Sequence, residues 1–189
     1  MAQSTGARAG RKRSEESRKA ILDASLRLLR ERGYGAVTTD AIAASAGVGK
    51  QTIYRWWTSK AEVVLEALTE HARAVAAPET GGLEGDVAAF LESTFRLLHG
   101  PRGSGPVLKG LMAEAQLDRA FGSRFTVFIE ARRSALGAVL LRHAKPGESV
   151  EAMVDMLFGA LWYRLLLGHA PLNAALARTL GRLAARGLR

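Results

Sequence analysis

The 189-residue sequence predicts an all-α protein of about nine helices, and three observations carry that reading. Apolar residues recur at three- and four-residue spacing from Ile21 onward. Glycine, proline and capping residues punctuate that pattern at helix-sized intervals. No stretch alternates with period two for long enough to argue a strand. The one β-leaning run, Phe125–Ile129, lies inside a helical pattern with charges at Arg124, Glu130 and Arg132.

The elements follow in order. Ser14, then Glu15, Glu16 and Ser17, reads as a helix start with acids at the positive end of the dipole. Ile21, Ala24, Ser25 and Leu28 continue it to Gly33, which supplies the stop. Thr38 caps a second helix carrying Ile42, Ala43 and Ala46, and Gly47 breaks it. A third begins after Gly49 and ends near Ser59, itself the cap of a fourth over Ala61–Ala77. Pro78 to Gly82 forms a turn. Five more helices are predicted over Leu83–His99, Val107–Gln116, Asp118–Ala144, Ser149–Gly168 and Asn173–Arg186, separated by "GPRGSGP" and "KPGE" among other breaks.

Composition narrows the function. Apolar residues make up 48% of the chain, enough for a substantial core. There are 0 cysteines, so neither a disulfide framework nor a thiolate metal site is available. The first residues lack the apolar core of a secretory signal, and the longest apolar run, MVDMLFGALWYRLLLG, holds Asp155 and Arg164 and is too short to span a bilayer. A cytoplasmic protein without a membrane anchor is expected. The net charge of +9 is unevenly placed: residues 1–60 hold 12 of the 27 Lys/Arg and 5 of the 18 Asp/Glu. A basic first third ahead of a near-neutral remainder suggests a small polyanion-binding module joined to a domain with another task. The predicted division is a mobile basic arm over 1–14, a polyanion-binding unit over 15–60 and a larger helical domain over 61–189.

The segment AGVGKQTIYRWW, residues 46–57, carries the chemistry. A helix broken after two turns and restarted three residues later is the helix-turn-helix pattern. Gly47 takes the left-handed turn, Val48 packs inward, and the small Ala43 permits close helix approach. On a wheel of 100° per residue with Ile53 inward, Trp57 falls beside it and Trp56 on its other flank. Gln51 and Arg55 point away, with Lys50, Thr52 and Tyr54 on the shoulders. Gln reads adenine and Arg reads guanine in a major groove, and the shoulders suit phosphates and thymine methyls.

The run AILDASLRLLRERGYGAVTTDAIAASAGVGKQTIYRWWTSKAEVVLEAL resembles the DNA-binding domain of the TetR/AcrR family of bacterial transcriptional regulators. The matching elements are Ile21 with Ala24 and Ser25, Gly33-Tyr34, Thr38 before Ile42-Ala43, Ala46-Gly47-Val48, Thr52-Ile53-Tyr54 and Ser59-Lys60. Two positions depart: Gly49 replaces the usual Ser or Thr cap, and Trp57 the usual Phe. The resemblance implies phosphate contacts at Thr38, Thr39 and Lys60, backbone or thymine contacts at Tyr54 and Trp56, and base reading by Lys50, Gln51 and Thr52. The wheel adds Arg55.

The resemblance also implies that the remainder holds a ligand pocket and a dimer interface. Phe90, Phe95, Met112, Gln116, Phe121, Phe125, Phe128 and Trp162 are candidates for lining a cavity, although the same residues would serve as core. VDMLFGALWYRLLLG resembles the penultimate helix of one branch of the family, and it is apolar nearly all round, as for a helix covered by its own domain and by a partner. Homodimerisation through the last two helices is therefore expected, with Leu161, Leu165, Leu176 and Leu180 at the interface.

Rival readings are weaker. GVGKQT fails as a phosphate loop, because Ala44 stands where Gly is needed, Gln51 where Ser or Thr is needed, and no strand precedes it. His71, His99, His143 and His169 form no metal-spaced pair and read as surface or helix-end residues. No nucleophile–base constellation exists, so no enzyme and no cofactor are expected. A sequence-independent architectural DNA binder is the remaining alternative. The large neutral C-terminal part speaks against it and for a ligand-responsive repressor on double-stranded operator DNA, with an unidentified small-molecule effector.

Overall fold

The computed structural model describes residues 4–72, 78–99, 103–147 and 149–188, with the backbone alone for 4–13 and His71. Among the described residues there are nine helices and no strand, as the periodicity predicts. The chain forms two compact units, Met1–His71 and Ala72–Arg189. The division falls eleven residues beyond the predicted 60/61 boundary, so the fourth helix goes with the first unit.

Unit 1 holds α1 (Ser4–Ala36), α2 (Thr39–Ala46), α3 (Lys50–Tyr54) and α4 (Lys60–Ala72), except that the last residue of α4, Ala72, belongs to unit 2. The first helix begins at Ser4 rather than Ser14. The residues before Ser14 include Ala7, Arg8, Ala9, Arg11, Lys12 and Arg13, all good helix formers, so helix replaces the predicted arm there. The side chains of Arg11–Arg13 lie outside the described residues. Gly33 breaks the regular backbone at φ 74°, where the sequence places the stop. Ile21, Ala24, Leu28, Ile42, Ile53, Trp57, Val63 and Val64 form the core. The buried Ser25 hydroxyl is satisfied by donating to the Leu22 carbonyl at 2.8 Å.

The start of α4 is fixed by a reciprocal cap. Ser59 Oγ accepts from the Glu62 N–H at 3.3 Å, and Glu62 reaches back to the N–H and hydroxyl of Thr58 at 2.8 and 2.7 Å. That geometry buries a carboxylate without stranding it. Residues 73–77 of the predicted fourth helix, 100–102 of the following loop and Glu148 lie outside the described residues.

Unit 2 holds α5 (Leu83–Leu98), α6 (Gly105–Leu117), α7 (Arg119–Leu141), α8 (Val150–Leu167) and α9 (Ala174–Gly187). Its core is built from Val87, Phe90, Leu91, Phe95, Leu111, Leu136, Val139, Leu140, Leu157, Leu161, Ala177 and Ala184. The most extensive contact joins α5 and α9. Gly181 makes it possible, since a Cβ there would crowd the Glu84 carbonyl and come within 3.3 Å of the Ala88 Cβ. Asp118 caps α7 by accepting from the N–H groups of Ala120 and Phe121, and Asn173 caps α9 through Leu176.

A buried acid locks the entry to unit 2. Asp86 on α5 is 2% exposed and accepts from the Thr80 N–H and hydroxyl, from Arg142, and lies 2.9 Å from His143 Nε2. Burial alone would raise its pKa. The bonds from the Thr80 backbone, His143, Arg142 and the Thr80 hydroxyl outweigh burial and hold the carboxyl well below the usual range. His143, read from sequence as a surface or helix-end residue, does follow α7, but it is half-buried against this acid. No described helix is long and apolar enough to cross a membrane.

Candidate nucleic-acid interface

The turn between α2 and α3 is set by backbone chemistry. Thr38 is extended at φ −121° and its Oγ1 accepts from the Ala41 N–H at 3.1 Å, so α2 starts with one orphan donor satisfied. Gly47 lies in the left-handed region at φ 67°, and the next N–H, on Val48, returns to the Ala43 carbonyl at 3.0 Å. That six-residue closure ends the helix and redirects the chain within three residues. Gly49 then begins α3 in an extended conformation with no side-chain cap.

The third helix is shorter than the wheel assumed. It ends at Tyr54, where the N–H groups of Trp56 and Trp57 both return to the Ile53 carbonyl, at 2.9 and 3.0 Å. The tightened end changes the fate of the two tryptophans. Trp57 is 3% exposed and anchors the segment, whereas Trp56 is 39% exposed and does not flank Ile53 as the wheel placed it. Their rings remain 6.3 Å apart.

Ile53 is fully buried, so the opposite side of α3 faces outward. Gln51, Thr52, Tyr54 and Arg55 line an open concavity of about 430 Å³ there. Gln51 and Arg55 are exposed, and among the described residues their side chains have no intramolecular hydrogen bond, which leaves the donors of both for a ligand. Tyr54 is 48% exposed.

The lysines are differently placed. Lys50 Nζ lies 2.8 Å from Asp40 Oδ1 on α2 and 5.9 Å from the Tyr54 ring centroid. The Asp40 hydrogen bond and charge hold the ammonium above the ordinary lysine range. Lys60 Nζ donates to the Tyr34 carbonyl at 3.1 Å and sits 4.3 Å over the Tyr34 ring, tying α4 to the end of α1. Thr39, the remaining predicted contact, is half-buried at the first position of α2. Asp40 did not stand out in the sequence, and Tyr34 did so only as part of the Gly33-Tyr34 stop, not as a partner of Lys60. A pairing acid ten residues from its lysine, on a different helix, has no local signal.

In unit 2 the predicted cavity residues separate into groups. Phe90, Phe95, Phe121 and Phe125 are buried, Met112, Phe128 and Trp162 are half-buried, and Gln116 is exposed with its amide 3.7 Å from Met112 Sδ. Phe121, Phe125, Phe128 and Trp162 form one aromatic cluster with centroid distances of 6.0 to 6.5 Å. Of the predicted interface residues, Leu161, Leu165 and Leu180 are buried inside their own unit and Leu176 is half-buried. The exposed apolar side chains of these helices are Met156, Tyr163, Leu166, Leu167 and Leu183. No described group of acids and histidines could hold a metal.

A glycine-turned helix pair that presents an unpartnered polar ridge, beside a separate helical unit, defines a helix-turn-helix DNA-binding protein with a second domain. Residues 21–67 match the family model described as bacterial regulatory proteins, tetR family, and residues 77–184 match the tetracyclin repressor-like C-terminal domain. The chain belongs to the TetR family of transcriptional regulators, and it is a DNA-binding regulator rather than an enzyme. The HTH-type transcriptional regulator YdeS of Bacillus subtilis is 34% identical over 186 residues, covering 95% of this chain and 93% of that one. The crystal structure of the TetR family transcription regulator SCO0332 superposes with a TM-score of 0.78 at 28% identity, over 92% of this chain and 99% of that one. The fold is also that of FadR from Bacillus subtilis in complex with stearoyl-CoA, with a TM-score of 0.70 at 20% identity over 90% and 99% of the two chains.

Proposed function

We propose that this regulator is a repressor that binds a palindromic operator as a homodimer, inserting α3 of each copy into successive major grooves, and that a small molecule in unit 2 releases it. The observation that carries DNA reading is the pair Gln51 and Arg55, exposed on one face of α3 with their donors unused. Gln bidentate to adenine and Arg bidentate to guanine would supply discrimination. Thr52 lines the same concavity, Tyr54 and Trp56 offer exposed rings for the sugar-phosphate edge, and Thr38, Thr39 and Lys60 are the phosphate contacts of this reading. Lys50, expected to read bases, is reassigned to phosphate because its ammonium is drawn toward Asp40 on α2.

Dimerisation is supported by Met156, Tyr163, Leu166 and Leu167 on α8 with Leu183 on α9, an apolar set left uncovered by its own chain. This set replaces Leu161, Leu165 and Leu180, which are occupied in the core. Two-fold symmetry then requires half-sites about one helical turn apart or a multiple of it. Effector binding is supported by the half-buried Phe128 and Trp162 at the edge of the aromatic cluster, and by the stearoyl-CoA held by a protein of the same fold.

The test is a footprint on genomic fragments with the intact protein. A protected, two-fold symmetric site, lost for Gln51→Ala and Arg55→Ala, supports the reading. Uniform protection of unrelated duplexes would instead mark a sequence-independent architectural protein.

A further inference from the structure

Arg132 on α7 differs from the other inward-reaching arginines. Arg18 pairs with Glu66 and Glu70, Arg142 with Asp86, and Arg133 with Asp155, Glu130 and Glu151. Arg132 is half-buried, yet no carboxylate among the described residues pairs with it. Its guanidinium sits 5.3 Å from the centroid of the buried Phe90 ring. Among the described residues its Nη atoms reach only the Ala72 carbonyl at 3.3 Å and the Thr94 hydroxyl at 3.5 Å, both at the long end of hydrogen bonding and both neutral. Burial without a counter-charge pushes the guanidinium below the ordinary arginine value. A desolvated cation of this kind costs free energy unless an anion comes to it.

The surroundings say what sort of anion. Phe121, Phe125, Phe128 and Arg132 recur at four-, three- and four-residue spacing, which places them on one stripe of α7. Three aromatic rings in contact therefore lead, turn by turn, to a single positive charge, over an axial distance of about 16 Å. Trp162 closes on the middle of that row. Phe121 and Phe125 are buried, and Phe128, next to Arg132 along the stripe, is half-buried, so the row is least covered at its Arg132 end.

We infer that unit 2 takes an amphiphilic organic anion, its negative group on the Arg132 guanidinium and its apolar body along the Phe121–Phe125–Phe128 stripe. The anion displaces the Ala72 carbonyl and Thr94 hydroxyl, which are weaker partners for a guanidinium than an anionic oxygen is. This rests on the effector-binding reading above and adds the ligand's charge and the residue that selects it.

Calorimetric titration of the intact protein with decanoate and with 1-decanol separates charge from apolar body. Wild type should bind decanoate about tenfold more tightly than decanol, as expected for one charged hydrogen-bonded pair. Arg132→Gln should bring the two affinities together with decanol binding unchanged, and Arg132→Lys should keep part of the preference. Circular dichroism and decanol binding verify that each variant is folded. Equal affinities in wild type, no binding of decanoate, or a preference that survives in Arg132→Gln would overturn the proposal. Release of operator DNA by decanol as readily as by decanoate would overturn the anion while leaving effector control standing. If no ligand of either kind changes DNA affinity, the effector-binding reading falls with it.

Discussion

The indole Nε1 of Trp57 donates to Glu66 Oε2 at 2.6 Å, and the other oxygen of that carboxylate takes Arg18. One acid on α4 therefore ties the residues just after α3 to α1, and the orientation of the reading helix depends on it. Trp57→Ala should lower the unfolding free energy of unit 1 by roughly 3–5 kcal/mol. Trp57→Phe keeps most of the packing and loses the donor, so its cost should be nearer 1–2 kcal/mol. Urea unfolding followed by far-ultraviolet dichroism measures both, and a Trp57→Phe protein as unstable as Trp57→Ala would assign the anchor wholly to the hydrogen bond.

Arg55→Ala should cost about 1–3 kcal/mol on the cognate operator and less on scrambled DNA, because it removes base reading. Lys60→Ala should weaken both duplexes alike. It should also lower stability, since its ammonium bridges to the Tyr34 carbonyl and ring. Binding titrations on the two duplexes at several salt concentrations distinguish the roles. Equal losses on both duplexes for Arg55→Ala would remove it from the sequence-reading set.

Asp40 holds the Lys50 ammonium at 2.8 Å and, in the proposed complex, would compete with DNA phosphate for it. Asp40→Ala should free that ammonium and remove a negative charge from the binding face. Affinity for any duplex should rise, and the salt dependence should steepen by about one counterion per subunit. An unchanged salt slope would mean that Lys50 does not reach phosphate.

Asp86 predicts an acid-sensitive unit 2. Its folded pKa lies below its unfolded value of about 3.9, so its stabilisation is fully present above that value and is lost as pH falls below it. Asp86→Asn should cost on the order of 2–3 kcal/mol at neutral pH by leaving Arg142 and the Thr80 donors with a poorer acceptor. The gap between variant and wild type should shrink as pH falls through 4 toward 2, read from thermal unfolding of unit 2 across that window. A gap independent of pH would show that the carboxylate charge is not what locks the cluster.

Charged substitutions on α8 should sort by face. Leu167→Asp, on the uncovered face, should yield folded monomers by sedimentation and weaken DNA binding at the same time. Leu161→Asp, on the buried face, should destabilise the fold itself. Dimers that persist in Leu167→Asp would move the interface elsewhere.

Much of unit 1 was legible because its signals are local. Gly47 needs a backbone that only glycine adopts cheaply, and Ile53 and Trp57, four residues apart, are both buried although Trp57 lies past the end of α3. The early end of α3 was not legible, because the shared Ile53 carbonyl that turns Trp56 outward leaves no mark in composition. In α8 the apolar residues run all round, so period alone could not tell the inward Leu161 and Leu165 from the outward Leu166 and Leu167. The isolation of Arg132 is a property of what surrounds it in space, and sequence neighbours such as Glu130 gave no hint that its charge would go unmatched.

The close approach at Gly181 also constrains how unit 2 can move. With no side chain between α9 and the backbone of α5 near Glu84 and Ala88, no rotamer change is available there to absorb sliding. The two helices share the most extensive contact of the unit and act as its keel, which should be the last part to open in local unfolding. Whatever displacement a bound molecule causes is expected to be taken up by α7 and α8, since α6 also meets α5 backbone to glycine, at Gly105 and the Leu98 carbonyl.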